Sequence, residues 1–600
     1  MKLHCRPETR SGYALLVVLV LGTAAILVFS STLRRTTTVS KLNERNNSWV
    51  KSINAAEAAT EKVIARMRYD YVYGQDAFVT NNLATYRTYV PTTAENSYWG
   101  NFEFSDGLGN VGRTYVKPIT TRVYTNLASQ YTGLNGFQTI YRIMSNVRPV
   151  VGTYPTSAAV QQDVETDSIP VFQFAIFYNG LLEFSTAATM TVRGRTHANA
   201  NIYTGSGSQL TFNGTVTTSG TISSPANAGG GPSWTYKGTF NGSPTYRTNV
   251  PVLNLPVGTN NTAAAVHAII EMPPSGEDVT SPLGQQRYYN KAHVVMLVSN
   301  DTVTAMIKND IGDTPITVSV PTWGTNSPQL STDLPFLSIT NRFREGREVG
   351  KTNILTQIDV NLYNRWLLTN SSIATKFITS GKYPNIAYVA DNRTPSSTLL
   401  YSVRLTNGVA IPTNGTTGFT LATPNPLYVW GNYNSPNAVN LDSTNTSGTQ
   451  PSSFACDALT VLSSSFTDSE SYLTYSTGSA TFDAVNTTVN ACMITGVVPS
   501  TGITTSTFSG GVHNLPRLLE DWSGKTLTLN TSIVCLFNST MATNKFVWPG
   551  TTYNPPSRNF NFDPNLANIA RQPPGTPMLS VILRATWRNP PLNTTNYAGL

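Results

Sequence analysis

Apolar residues run without a break from Tyr13 to Phe29 (YALLVVLVLGTAAILVF) and then give way to a polar stretch that continues to Tyr73. Neither Pro nor Gly occurs between Thr23 and Tyr73. Those two residues are the strongest helix breakers, so nothing in that span interrupts a helix. Within the polar half, Leu42, Trp49, Ile53, Ala56, Thr60, Ile64 and Met67 recur at spacings of seven, four and three, which puts them on one helical face. The pattern predicts one continuous helix over 13–73, lipid-soluble at one end and amphipathic at the other. Such a rod is roughly 90 Å long, far more than a bilayer requires.

Beyond the helix the period changes. Residues 74–168 are rich in Tyr and Asn without a clear period, and are expected to be a region linking stalk to body. From Ile169 to Ser224, most clearly after Phe184, short apolar or β-branched pieces alternate with Gly or Asn turns: TMTVRG, ANIYTG, QLTFNG, TVTTSG and TISS. These are too short for an ordinary sandwich and suit the stacked rungs of a parallel β-helix. Val192, Ile202, Leu210, Phe212, Val216 and Ile222 are the expected interior residues. Over 225–392 the text changes: AGGGPSW reads as a loop, TAAAVHAIIEM as a helix, HVVMLVSN as a buried strand and VNLYNRWLLTNSSIATKFI as partly helical. Rung-like text returns over 393–600, in LLYSVRLTNGVAI, CDALTVLSSSF, TTVNACMITGVV and GKTLTLNTSIVCLFNST. The expected fold class is a long N-terminal α-helix followed by a mainly β body. That body is a parallel β-helix (solenoid) in two parts, 169–224 and 393–600, interrupted by an α+β insertion over 225–392.

Composition places this body outside the cytoplasm. Charged residues make up only 12% of 600 and apolar residues 40%, with 43 Gly, 36 Pro and 28 Tyr, the profile of a folded β-rich chain rather than a disordered one. The net charge of +8 is scattered. Its densest cluster, Arg342, Arg344, Arg347 and Lys351, is interrupted by Glu345 and Glu348, so it reads as a solvated face and no nucleic acid partner is expected. Lys2, Arg6 and Arg10 precede the apolar segment while Arg34, Arg35 and Lys41 follow it; the positive-inside rule therefore does not orient it.

The apolar segment admits three readings. A cleavable secretory signal needs a small-residue cleavage site, and Val28, Phe29 and Ser30 form a poor one. A plain membrane anchor is the second. The third is a type IV prepilin: the SG/YALLVVLVL junction, with Gly12 last in the leader and Tyr13 first in the mature chain, resembles a prepilin processing site. INAAEAATEKVIARM resembles the end of the N-terminal segment of PilX-like minor pilins. Blocks across the body, among them FQFAIFYN, TPNPLYVWGNYN, VNACMITGVVPS and YNPPSRNFNFDPN, resemble ordered blocks of large PilX-like bacterial proteins, with THAN (Thr196 to Asn199) where relatives have a VHSN-like string. The resemblance implies that 1–12 is a leader removed by prepilin peptidase. It also implies a single pass of the bacterial inner membrane, cytoplasmic N-terminus before processing, with the body in the periplasm or on the cell surface. The implied partners are other pilins or pseudopilins, met through the N-terminal helix.

One departure refines that expectation. Major pilins carry a Glu at the fifth mature position, pairing with a neighbour's N-terminal amine, and counting from Tyr13 that position is Val17. An unpaired amine buried in lipid or a helical core is costly. The resemblance therefore implies a minor, initiating or tip subunit that caps or decorates a type IV pilus-like or type II secretion-like filament. The alternative is a membrane-anchored or pilus-tip adhesin whose Tyr- and Asn-rich face binds surface glycans or cells. A third reading, a polysaccharide-active enzyme, requires a carboxylate cluster in a groove.

Candidate chemistry is sparse. His197 (GRTHAN) and His513 (GGVHNLPR) lack HxxxH, HExxH or CxxC partners, so backbone-capping turn histidines are expected rather than ligands. Glu520 and Asp521 are adjacent and would point apart, which does not make a catalytic pair. No Asp or Glu lies between Phe184 and Ile270, between Asn392 and Leu441, or between Ala484 and Leu519. No enzymatic activity, catalytic residue, cofactor or metal is expected, and Asp468, Glu470 and Asp483 fit no twelve-residue calcium loop. Cys5 falls in the leader. Cys456, Cys492 and Cys535 each sit beside a rung-like piece, so small buried interior residues are expected, with one disulfide and a spare thiol as the alternative.

Overall fold

The computed structural model describes residues 11–591 apart from 129, 154, 187–188, 207, 224–237, 322–332, 378–379, 501–508, 510 and 545–549. Most of the expected leader, with Cys5, and the AGGGPSW loop lie outside the described residues. Helix α1 is Ser11–Asn81, interrupted by non-helical backbone at Gly74 (φ −140°, ψ 16°) and Gln75 (φ 57°, ψ −158°). The predicted rod therefore ends where its sequence signal ends. A Cβ on Gly74 would lie 2.6 Å from the Cβ of Phe78, so the close approach in this turn needs glycine. Just past it, Asp76 accepts hydrogen bonds from Tyr141 Oη (3.0 Å) and Thr166 Oγ1 (3.2 Å), which pins the turn to the sheet beneath.

That sheet occupies the span expected to be a linking region. Asn135–Pro149 and Ala158–Pro170 form its centre. Phe102–Ser105, Tyr115–Pro118 and Val123–Asn126 pair with the first, and Met578–Arg588, from near the other end of the chain, pairs with the second, all antiparallel. Polar residues obscure the strand period here: Gln161, Gln162, Asp163, Thr166, Asp167 and Ser168 are all buried. They are tolerated because they are bonded. Arg142 grips Asp163 through two bonds (2.9 and 3.1 Å), and Gln162 Nε2 donates to Thr60 Oγ1 (2.9 Å) and Glu61 Oε1 (2.8 Å) on α1.

Helix and sheet share two apolar seams. Val63, Ile64, Met67 and Tyr71 pack against Tyr141, Ile143, Val164 and Ile582; nearer the N-terminal end of α1, Ala55, Ala56 and Ala59 meet Phe104, Val147 and Val160. On Met578–Arg588, Leu579, Val581 and Leu583 face the opposite way, into the body. The two-residue alternation of this strand thus joins the helix-bearing sheet to everything else.

The body begins with repeats of twenty residues. Leu182, Ile202 and Ile222 are in register in one parallel sheet, Met190 and Leu210 in a second, and Thr196 and Val216 in a third. Turn glycines stack with them, since a Cβ on Gly214 would lie 2.0 Å from the Gly194 carbonyl oxygen. Phe212 stacks on Phe240 and meets Phe184 edge-to-face, both at a centroid distance of 5.0 Å. The expected interior residues Val192, Ile202, Leu210, Phe212 and Val216 are buried in one apolar cluster, with Ile222 packed at its edge.

The third sheet extends far beyond the repeats. Its twelve strands run, in space, Tyr246–Arg247, Val216–Thr218, Thr196–Ala198, Ile176–Tyr178, Ile533–Cys535, Cys492–Thr495, Ser452–Cys456, Phe419–Ala422, Ile386–Asp391, Val294–Val298, Thr302–Ile307 and Ile316–Pro321. The first ten are mutually parallel and the last two antiparallel. Two strands from the span 225–392, Val294–Val298 and Ile386–Asp391, continue the same parallel sheet. Both faces of this sheet are buried, Val294, Met296 and Val298 in one apolar cluster and Val295 in the other. That is why Val294–Val298 (VVMLV) reads as an unbroken apolar run. Residues of the short helices Ala263–His267 and Tyr288–Lys291 cover the outer face.

Ile64 is fully buried in the helix–sheet seam and Leu42 is 57% exposed. Ile64→Ala is expected to destabilise the detergent-solubilised protein by about 2–4 kcal/mol in chemical denaturation. Leu42→Ala is expected to shift it by less than about 0.5 kcal/mol; equal effects would refute the division of α1 into packed and free halves.

Candidate functional site: an exposed apolar helix and a charged cavity

Among the described residues, nothing packs on the apolar part of α1. Tyr13 is 78% exposed, Val17 51% and Phe29 65%, and this is the one helix among the described residues long and apolar enough to cross a membrane. Its hydroxyls fold back on the helix: Thr23 Oγ1 donates to the Leu19 and Val20 carbonyls (both 2.9 Å), and Ser31 and Thr32 bond to Val28 and Phe29. Their polarity is thus satisfied within the helix itself. The expected processing junction, Gly12–Tyr13, lies in the first turn of α1. Trp49, on the predicted amphipathic stripe, is still 41% exposed. The body first reaches the helix at Ser48 and Ser52, which bond to the backbone of Thr156 at 3.0 and 2.7 Å.

The other residues singled out in the sequence are dispersed. His197 lies in the strand Thr196–Ala198 rather than in a turn. Asn199 spends its amide N–H groups on Asn179 and the Leu253 carbonyl, so its Oδ1 accepts from His197 Nε2 (3.0 Å), and Nδ1 accepts from Thr217 (2.8 Å). The ring stacks on Phe177 and burial pulls its pKa down to about 4. It is a neutral structural imidazole. His513 occupies the turn Gly511–Asn514, where burial together with Arg558 and Arg347 lowers its pKa to about 3. Glu520 accepts from the backbone N–H (2.7 Å) and hydroxyl of Ser463, whereas Asp521 accepts from Gly478, Ser523 and Asn554. The two adjacent carboxylates serve different loops. Asp468 pairs with Arg404, Glu470 accepts from Thr467, and no metal-holding cluster forms among the described residues.

Cys456, Cys492 and Cys535 are free, buried thiols, and burial pushes their pKa values up. The disulfide alternative fails on geometry. Cys456 and Cys535 face one cluster and Cys492 the other. The strand Cys492–Thr495 separates the first two, leaving them about 10 Å apart, beyond the roughly 7 Å limit for a bridge.

The basic cluster departs most from expectation. Arg342 and Arg344 are exposed, but Glu345, Arg347 and Glu348 are buried at 1–2% exposure. The turn Gly346–Glu348 carries them inward. Glu348 pairs with Arg517, and Glu345 accepts from Tyr428 Oη and from the Arg347 backbone N–H (2.9 Å). Arg347 donates to Asn514 Oδ1 (2.7 Å) and lies over the Tyr553 ring. Arg347 and Arg517 line a cavity of about 140 Å3, together with Tyr178, Glu183 and Phe537. Behind its wall, Asp457 is fully buried and accepts from the backbone N–H groups of Thr540, Met541 (3.1 Å) and Ala542 (3.0 Å). Alternation of charge along 342–351 looks like a surface helix or strand in sequence; the partners that make burial affordable, Arg517 and Tyr428, are remote.

Comparison with family models, with curated proteins and with solved structures yields no match for this chain.

Burial raises the Glu520 pKa to about 7, above its ordinary 4.5. The native state therefore holds this proton more tightly than the unfolded chain, and the associated stability, full below 4.5, is lost as pH rises through about 7. Glu520→Gln mimics the protonated form. The variant is expected to melt with wild type near pH 4.5 and above it near pH 8; a pH-independent difference would contradict the assignment.

Proposed function

We propose that this chain is a minor pilin or pseudopilin, a membrane-inserted subunit that initiates, caps or decorates a pilus-type filament. The observation that carries the reading is the division of α1. Its first part is a bare apolar rod, and its second is clamped to an antiparallel sheet through Ala55, Ala56, Ala59, Ile64 and Met67. A subunit of this kind waits in the bilayer with its apolar segment in lipid and its folded unit outside, then exchanges lipid for the apolar helices of other pilins. Prepilin peptidase would act at Gly12–Tyr13. With Val17 in place of an acid, the subunit offers no carboxylate to a neighbour's N-terminal amine, which favours a single terminal position over repetition along a shaft.

The large body belongs to the same reading. We take its in-register parallel repeats as a β-solenoid, one turn of chain per rung, extended through residues 386–535. A body of this size suits a tip or decorating subunit, because it is too bulky to recur at every helical position.

Peptide mass spectrometry of the protein from native membranes is expected to find a mature chain starting at Tyr13, N-methylated there. A Gly12→Arg variant is expected to retain Met1. An intact Met1 in the unaltered protein would leave a plain anchored protein, and a cut near Ser30 a secreted one; either result sinks the proposal.

A further inference from the structure

The charged cavity lies at the seam where Ile176–Tyr178 pairs with Ile533–Cys535. Pockets form readily at such junctions, where distant parts of a chain meet. Three side chains lining it keep a polar atom without a hydrogen-bond partner among the described residues: Tyr178 Oη, Glu183 Oε1 and Arg347 Nε. All three residues are at most 3% exposed. Unmade bonds at buried groups are costly to a folded protein, and three around one space point to a ligand that completes them.

Size, charge and lining narrow the ligand. A volume of about 140 Å3 is close to the ~150 Å3 known to admit one six-membered ring. Glu345 and Glu348 are set against Arg347 and Arg517, and Glu183 on the lining, its pKa raised by burial to about 7, adds at most one negative charge, so the site does not favour an anion. Arg347 donates only, while the Tyr178 hydroxyl and the amide of Asn514 both donate and accept. Leu181 and Phe537 supply apolar wall. Donors and acceptors around an apolar face match a ring whose edge carries hydroxyls and whose faces carry C–H groups.

We propose that this cavity binds one neutral sugar residue, free or at the end of a glycan chain. The inference is independent of the filament reading, since it rests on the seam cavity alone.

Saturation-transfer NMR on the detergent-solubilised full chain tests it, with glucose, galactose, mannose and N-acetylglucosamine as probes and glucuronic acid as the charged control. At least one neutral sugar is expected to bind, and a short oligosaccharide ending in that sugar is expected to compete if the natural source is a glycan. Tyr178→Phe removes only an unpartnered hydroxyl, so the sugar-free variant is expected to melt no lower than wild type while binding about fivefold more weakly or worse. Leu181→Trp, at a rim position 38% exposed, is expected to abolish binding without loss of fold. The proposal is overturned if no neutral sugar binds, which leaves a water-filled cavity. It is equally overturned if glucuronic acid alone binds, or if both variants bind as wild type does.

Discussion

Parallel pairing between Ile176–Tyr178 and Ile533–Cys535 is the contact on which the body depends. Without it the early repeats and the later ones would each end in an open strand edge, a liability in any sheet. With it, one sheet of twelve strands runs through the molecule. The same seam fixes the helix-bearing unit. The chain leaves that unit at Pro170 and returns to it at Met578, and the Val171 N–H bonds to the Pro577 carbonyl (3.0 Å) where the two crossings meet. Neither part can shift without disturbing the other.

Burial on both faces of the long sheet follows from this arrangement. Its inner face closes on the repeat interior, and its outer face is covered by short helices and by Leu579, Val581 and Leu583. The antiparallel sheet is also covered twice, by the body and by α1. Among the described residues, the N-terminal part of α1 finds no cover, although it is strongly apolar. An apolar rod left bare beside two doubly covered sheets calls for an apolar solvent or for other helices.

The buried ions at Gly346–Glu348 obey a different rule. Glu348 with Arg517, and Glu345 with Tyr428, are removed from water only because each has a bonded partner. Such a group contributes little net stability, and losing one partner is costly. Its position beside the seam cavity makes it a polar wall held rigidly by residues from four distant parts of the chain.

Local patterns were legible where a segment's own periodicity reports what it buries. The extent of the N-terminal rod, the short repeats separated by Gly or Asn turns, and the interior residues from Val192 to Val216, with Ile222 at their edge, all came from such periods. The strand Ala158–Pro170 was not legible, because its buried Gln and Asp side chains are paid for by partners on α1 and on a neighbouring strand, and polarity alone reads as a loop. Nor was the burial of Arg347, whose surroundings come from residues near 428, 514 and 553. Strand order was beyond reach for the same reason. Sequence by itself determined which residues form an apolar helix and which form short strands, since these depend on neighbours a few positions away. Tertiary structure alone decided which strands touch, where the seam falls and which charges lie inside, since these depend on contacts between groups hundreds of residues apart.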